Sequence, residues 1–385
     1  MAGDRMTTKI EEYFGEIEDP RADNKRHKLI DIIFMTICAV LCGIEDWDEI
    51  AFYCQKREKW FSNFLELPHG VPSKDTFRRV IQRIRPEEFQ KCFLKWVEAV
   101  RVMTKGEIVA IDGKRVKRSY NKVEGKAAIH LISAWASENK LVLAQIKTEE
   151  KSNEITAIPE LLRMIAIEGC IVTIDAMGTQ KEITKEIVGH NADYVLALKG
   201  NQGTLHDEVV EFFDKEVINK SDKLLEQDLA KHGCIMDHLR TIDKGHGRIE
   251  IRDYYITDYV SWLSQKDDWT KLQAIGMVKS ERIIGDEKSI EYRHFIASIG
   301  PDAKEFERAV RGHWGVENKV HWVLDVTYNE DGSRIRKDYG AENMALLRRL
   351  TMNLLRKDDT KYMSLKKKRL NCMIDEEYLK YILFE

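Results

Sequence analysis

Apolar residues recur three and four positions apart through the first hundred residues, which predicts helices. The stretches HKLIDIIFMTICAVL (His27–Leu41) and DWDEIAFYCQKREKWFSNFL (Asp46–Leu65) show it most clearly, with Gly43 and LPHGVPS as breakers between elements. Ser73 is placed to cap the helix KDTFRRVIQRI, leaving Arg78, Arg79, Gln82 and Arg83 for an outward face. From Glu107 the period shortens to that of strands. EIVAIDGKRVK, AAIHLISAWAS and LVLAQIKT read as an antiparallel meander with a turn at ENK. A helix through NEITAIPELLRMIAIEG, a strand CIVTID, a helix TQKEITKEIVGH and a strand DYVLALK follow. Helices alternating with strands after a meander predict an α/β fold with a sheet of mixed direction.

The next hundred residues break that alternation. After a helix at Gly203–Lys215, the segments GRIEIRDYYIT, KLQAIGMVKSERII and IEYRHFIASI read as strands of a β-rich insertion. Helices resume at Asp302, where D-x-x-E resembles a capping arrangement, and end with AENMALLRRLTMNLLRK after a turn at NEDGS. The resulting division is a helical region 1–103, a first core segment 104–200, the insertion 201–299, the rest of the core 300–358 and a basic segment 359–385. The longest apolar run, Ile32–Ile44, is shorter than the roughly 20 residues of a membrane span, so no membrane is expected.

Charge adds little globally and more locally. The net charge is −3, yet GKRVKRSYNK places Lys114, Arg115, Lys117, Arg118 and Lys122 together without an acid. LKKKRL (Leu365–Leu370) is a second basic run. Such runs are most often solvated faces and gain meaning only from position. The seven cysteines have no C-x-x-C spacing and predict reduced thiols.

Two aspartates occupy equivalent places. Asp112 follows IVAI and Asp175 follows IVTI. A hairpin turn at Asp112–Gly113 would truncate a strand-like run that continues to Val116. For Asp175 the competing role is a helix cap, but Thr179 and Glu182 already form a T-x-x-E capping box. Carboxylates gathered at the carboxyl ends of strands repel unless a cation lies between them, and a divalent ion with oxygen ligands is the usual answer. In RGHWGVENKVHWVLD, His313, Glu317, His321 and Asp325 recur every four residues, as a polar stripe that either faces solvent or supplies the third ligand.

These residues resemble the DDE transposases of bacterial insertion sequences, in the subgroup of H-repeat-associated proteins. The resemblance spans nearly the whole chain, in DPRADNKRH, VPSKDTFRRV, AIDGKRVKRS, KSNEITAIPELL, TIDAMGTQKEI, DYVLALKGNQ, GHGRIE and HWGVENKVHWVLDVTYNED. It implies a ribonuclease-H-like core with a β-rich insertion before the glutamate. It also implies Asp112, Asp175 and Glu317 as catalytic, metal-binding residues for Mg²⁺ or Mn²⁺, with Asp325 and Glu330 in reserve as third ligand. The activity implied is cleavage at element ends and strand transfer into double-stranded DNA, by a dimer on DNA, in a bacterial cytoplasm. A silent or domesticated DNA-binding descendant, a nuclease without transposition, and a metal hydrolase of another substrate are the alternatives. The tyrosine, arginine and lysine that related enzymes carry around the glutamate are replaced here by Val310, His313 and Leu324. His313, His321 and Lys319 are candidates to stand in for them. DNA contacts are expected from Arg78, Arg79, Lys114, Arg115, Lys117, Arg118, Lys199, Asn201, His313 and Lys319.

Overall fold

A computed structural model describes residues 9–22, 25–120, 127–148, 154–218, 229–245, 247–360 and 362–384. Lys122 of the first basic run therefore lies outside the described residues. The helical region comprises α1 (Lys9–Phe14), α2 (Leu29–Leu41), α3 (Trp47–Lys56), a single turn α4 (Glu58–Phe61), α5 (Lys74–Arg83) and α6 (Pro86–Val100). The Ser73 hydroxyl accepts from the Thr76 N–H and so caps α5 as its position predicts. α2 is buried nearly all round, which is why its sequence is apolar without a polar face.

The core follows with β1 (Ile108–Arg115), β2 (His130–Ala136), β3 (Leu141–Thr148), α7 (Glu154–Arg163), β4 (Ile171–Ile174), α8 (Lys181–Gly189), β5 (Asp193–Leu198) and α9 (Gly203–Phe213). Then come β6 (Met236–Gly245), β7 (Arg248–Thr257), β8 (Ala274–Ile284) and β9 (Glu287–Ala297). The chain closes with α10 (Ala303–Gly315), a π-helical stretch Val316–His321, α11 (Trp322–Val326), α12 (Gly340–Lys357), α13 (Leu365–Ile374) and α14 (Glu376–Phe384).

Among the described residues nine strands form one sheet, in the order β3-β2-β1-β4-β5-β9-β8-β7-β6. β1, β2 and β3 are antiparallel neighbours, and β4 and β5 run parallel to β1. This meander followed by parallel crossovers is the ribonuclease-H-like arrangement. β4 is buried at all four positions, as a central parallel strand covered on both faces must be. The expected β-rich insertion extends the same sheet, because β9 pairs antiparallel with β5. Its first strand, β6, was missing from the sequence-derived strands. MDHLRTIDKG is largely polar, since β6 is an edge strand exposed over most of its length, so it lacks the apolar alternation that marks a half-buried strand.

A continuous hydrophobic core runs from Ile10 in α1 through the sheet to Leu383 in α14. The C-terminal basic run is partly structural. Lys368 is buried and donates to the carbonyl of Leu355, and Arg369 is buried against Tyr328 and donates to the Val40 carbonyl and Glu45. Gln82, expected on an outward face, is buried too, and its carbonyl accepts from the Tyr339 N–H.

Candidate active site

β1 and β4 pair in parallel with Ile111 opposite Ile174. The next residue in each segment is an aspartate, so the register sets Asp112, within β1, beside Asp175, the first residue past β4, where paired strands lie about 4.8 Å apart. β1 continues past Asp112 to Arg115, paired with β2, so Asp112–Gly113 is not a hairpin turn. Asp112 is mostly buried, and its Oδ1 accepts from the Gly113 N–H at 2.8 Å. Burial, with Asp175, Glu317 and Glu154 nearby, pushes its carboxyl up to about 7 against that hydrogen bond.

Asp175 does have a capping role, contrary to the reading from sequence. Its Oδ1 accepts from the N–H groups of Met177 and Gly178, capping the 3₁₀ turn Ala176–Gly178. The Thr179–Glu182 capping box does not form. Helix α8 starts later, after Gln180, and Thr179 is buried, its hydroxyl donating to the Ala197 carbonyl at 2.6 Å. The 3₁₀ turn is braced from β5's following loop, where Asn201 donates to the Ala176 carbonyl and Gln202 to that of Thr179. Asn201, expected to meet DNA, thus has its amide engaged in holding the Asp175 loop. Lys199 beside it is exposed.

The third carboxylate arrives on the helix that crosses these strand ends. Gly312 lets α10 lie directly on β1, since a Cβ there would sit 2.7 Å from Cγ2 of Ile108. The regular helix then yields to the π-helical stretch that carries Glu317, an interruption frequently found at functional sites. The four-residue stripe read from the sequence is therefore not one face of a uniform α-helix. Its histidines nonetheless bracket Glu317. His313 Nδ1 lies 3.2 Å from the Thr173 hydroxyl on β4, and His321 Nδ1 lies 3.4 Å from Asp112 Oδ2. Burial holds both imidazoles below their ordinary range, His321 at about 3, so each is neutral at pH 7. Glu317 and Lys319 are exposed beside them.

The reserve ligands have other partners. Glu330 is fully buried and pairs with Arg349 at 2.9 Å. Asp325 pairs with Lys114 at 2.6 Å. Lys114 was expected to meet DNA, but it is 7% exposed and also faces Glu330 and Asp331, so its charge is consumed internally. Alternation along β1 explains this: Lys114 lies two residues beyond Asp112 and points to the same side, while Arg115 is exposed. Lys117 is exposed and paired with Asp331, Arg118 and Arg79 are exposed, and Arg78 pairs with Asp75. The internal pairing of Lys114 and the bracing amides of Asn201 and Gln202 left no signal in the sequence beyond proximity to the strand ends.

Among the described residues no lysine or arginine pairs with Asp112, Asp175 or Glu317. The three carboxylates offer only oxygen donors, the ligand type that Mg²⁺ or Mn²⁺ prefers. As placed they do not close on an ion: among the described residues no three acidic, histidine or cysteine side chains lie near enough to hold one. Glu317 is the exposed member of the three.

Residues 103–354 match the family described as Transposase DDE domain, and residues 11–97 match the DDE_Tnp_1-associated family. "Putative transposase YncI" of Escherichia coli O157:H7 is 38% identical over 379 residues, covering 97% of this chain and 93% of that protein. "H repeat-associated putative transposase YhhI" of Escherichia coli K12 is 37% identical over 381 residues, covering 97% of each. Among solved structures, the cryo-EM structure of a piggyBac transposase synaptic complex with hairpin DNA aligns over 99% of this chain and 79% of that one, with a TM-score of 0.47 and 12% identity.

Proposed function

Because the chain belongs to the DDE transposases, in the H-repeat-associated type, we propose that it cleaves double-stranded DNA at the ends of its own element and joins the freed 3′ hydroxyl to target DNA. The observation that carries this reading is the register of β1 and β4, which sets Asp112 beside Asp175 with the Glu317 helix across them. In the first step a water oxygen attacks phosphorus and the 3′ oxygen leaves with a proton. In the second, that 3′ hydroxyl attacks a target phosphodiester and displaces a new 3′ oxygen. Asp112, Asp175 and Glu317 would hold Mg²⁺ or Mn²⁺, which when bound activates the attacking oxygen and stabilises the leaving one.

The remaining work falls to the chain itself. The Gly113 N–H fixes one oxygen of Asp112, and the neutral His321 limits rotation of the other without cancelling its charge. The N–H groups of Met177 and Gly178 orient Asp175, and His313 keys the helix to β4 through Thr173. Arg115, Arg118, Lys199 and Lys319 are the exposed cations near these elements suited to contact phosphates. Two element ends processed together would call for a dimer on DNA. An intact set of three carboxylates favours an active enzyme over a silent DNA-binding descendant.

The test is nicking of DNA carrying the element's own ends, by purified protein with Mg²⁺ or Mn²⁺. Asp112→Asn and Asp175→Asn are each expected to abolish nicking while DNA binding persists, and full activity in either would refute the assignment. Glu317→Gln should behave likewise; loss of cleavage in Asp325→Asn alone would move the third role to Asp325.

A further inference from the structure

The segment Ser333–Lys337, reading SRIRK, has no part in the chemistry above. It joins three stretches far apart in sequence. Arg336 Nε donates to the Arg118 carbonyl at 2.8 Å, and its guanidinium lies over the Tyr120 ring. On the other side the Tyr339 N–H donates to the Gln82 carbonyl, which ties the segment to α5 of the helical region. Between them lies a cleft of about 710 Å³ whose walls include Arg78, Arg334, Arg336 and Lys337. Arg334, Lys337 and the neighbouring Arg118 are exposed, and among the described residues no acid pairs with them.

The acids on the same walls are mostly accounted for. Glu45 is taken by Arg348 and Arg369, and Asp46 caps α3 by accepting from the Asp48 N–H. Asp46 and Glu49 are the acidic lining residues without a cation partner among the described residues, against Arg334, Arg336 and Lys337 on the facing wall. A merely solvated basic face would mix signs, as the rest of this chain of net charge −3 does. Here unpaired cations line a concave surface, and the segment that carries them is tied through Arg336 to Arg118, three residues beyond the end of β1.

We infer that this cleft seats the phosphate backbone of double-stranded DNA as it leaves the catalytic carboxylates, with Arg334 and Lys337 as phosphate contacts and α5 as its far wall. The inference rests on the DNA reading of the active site. It also joins two basic stretches, at α5 and after Asp112, that are separate in the sequence.

The test is binding of the full chain to a short duplex by fluorescence anisotropy across a salt series. Each neutralised phosphate contributes about 0.9 to the slope of log affinity against log salt, so Arg334→Ala/Lys337→Ala should make it shallower by about 1.8. The charge-matched control Lys185→Ala/Lys304→Ala, exposed residues outside the cleft, should leave the slope unchanged. Both test side chains are exposed and unpaired, so an unchanged melting temperature is expected and separates lost contact from misfolding. Wild-type binding with the same slope in the Arg334/Lys337 variant would overturn the inference while leaving the transposase reading intact. No DNA binding by the wild type would overturn both. A loss of polyglutamate binding in the variant, with DNA binding unaltered, would assign the cleft to an acidic protein and overturn it as well.

Discussion

Glu330→Ala is expected to destabilise the fold by about 3–5 kcal/mol, the cost of stranding a buried charge. Glu330 Oε1 lies 2.9 Å from Arg349 Nη1 and 3.8 Å from Arg348 Nη1, and Oε2 lies 3.8 Å from Lys114 Nζ. Neither Glu330 nor Arg349 is exposed at all. At an effective dielectric constant of 20, the closest pair attracts by roughly 6 kcal/mol, much of which offsets the desolvation of both charges. Burial would raise the Glu330 carboxyl, but Arg349, Arg348 and Lys114 outweigh it and keep it below its ordinary range. The neighbours would not suffer equally. Arg348 keeps Glu45 at 2.8 Å, and Lys114 keeps Asp325 and Asp331. Arg349 would retain only the Ala345 carbonyl and the Ser133 hydroxyl. The loss corresponds to a fall in melting temperature of roughly 4–6 °C for a chain of this size, read by circular dichroism on the full-length protein. Glu330→Leu/Arg349→Met should recover most of it, because no charge is left stranded. An unchanged melting temperature in Glu330→Ala together with lost metal-dependent nicking would refute the reasoning and make Glu330 a ligand.

Further expectations concern packing, capping and pH. Gly312→Val should lower the melting temperature, because overpacking against Ile108 costs about 1–3 kcal/mol, whereas Gly189→Ala in α8, where an added Cβ meets nothing, should be neutral or slightly stabilising. Asp175→Ala should lose about 1 kcal/mol of stability beyond whatever Asp175→Asn loses, since asparagine keeps the acceptor that caps the 3₁₀ turn; equal melting temperatures would count against the cap. Burial, helped by His206, pushes buried His294 down to about 4, so it is neutral in the fold and protonates in the unfolded chain at about 6.5. The unfolded state then binds the extra proton between those values, so this contribution is complete above about pH 6.5 and falls away toward pH 4, by roughly 3 kcal/mol in all. Denaturant titrations of His294→Phe across that range should show a correspondingly flatter loss.

Much of the architecture was legible along the chain because burial leaves a period. The helical first hundred residues, the meander, β4, β5 and the strands β7 to β9 all carry their apolar repeat openly, and Ser73 and Asp302 cap their helices as their positions indicate. β6 was not legible, because an edge strand exposed along most of its length has no buried face to encode. Asp112 and Asp175 stand out in the sequence as aspartates that follow apolar strand residues, but the T-x-x-E pattern does not relieve Asp175 of capping. The helix starts one residue later than the T-x-x-E pattern suggests, and the chain makes a 3₁₀ turn first.

By itself, then, the sequence determined the order of the elements and the chemistry offered at two strand ends, since both depend on residue type and local period. Only the tertiary structure decided which charges remain available. Lys114 and Lys117 belong to one basic run, yet one is buried among carboxylates and the other is exposed, because strand alternation and a loop some two hundred residues away set their surroundings. Ion pairing depends on distance through space, and a one-dimensional pattern of charge carries no record of it.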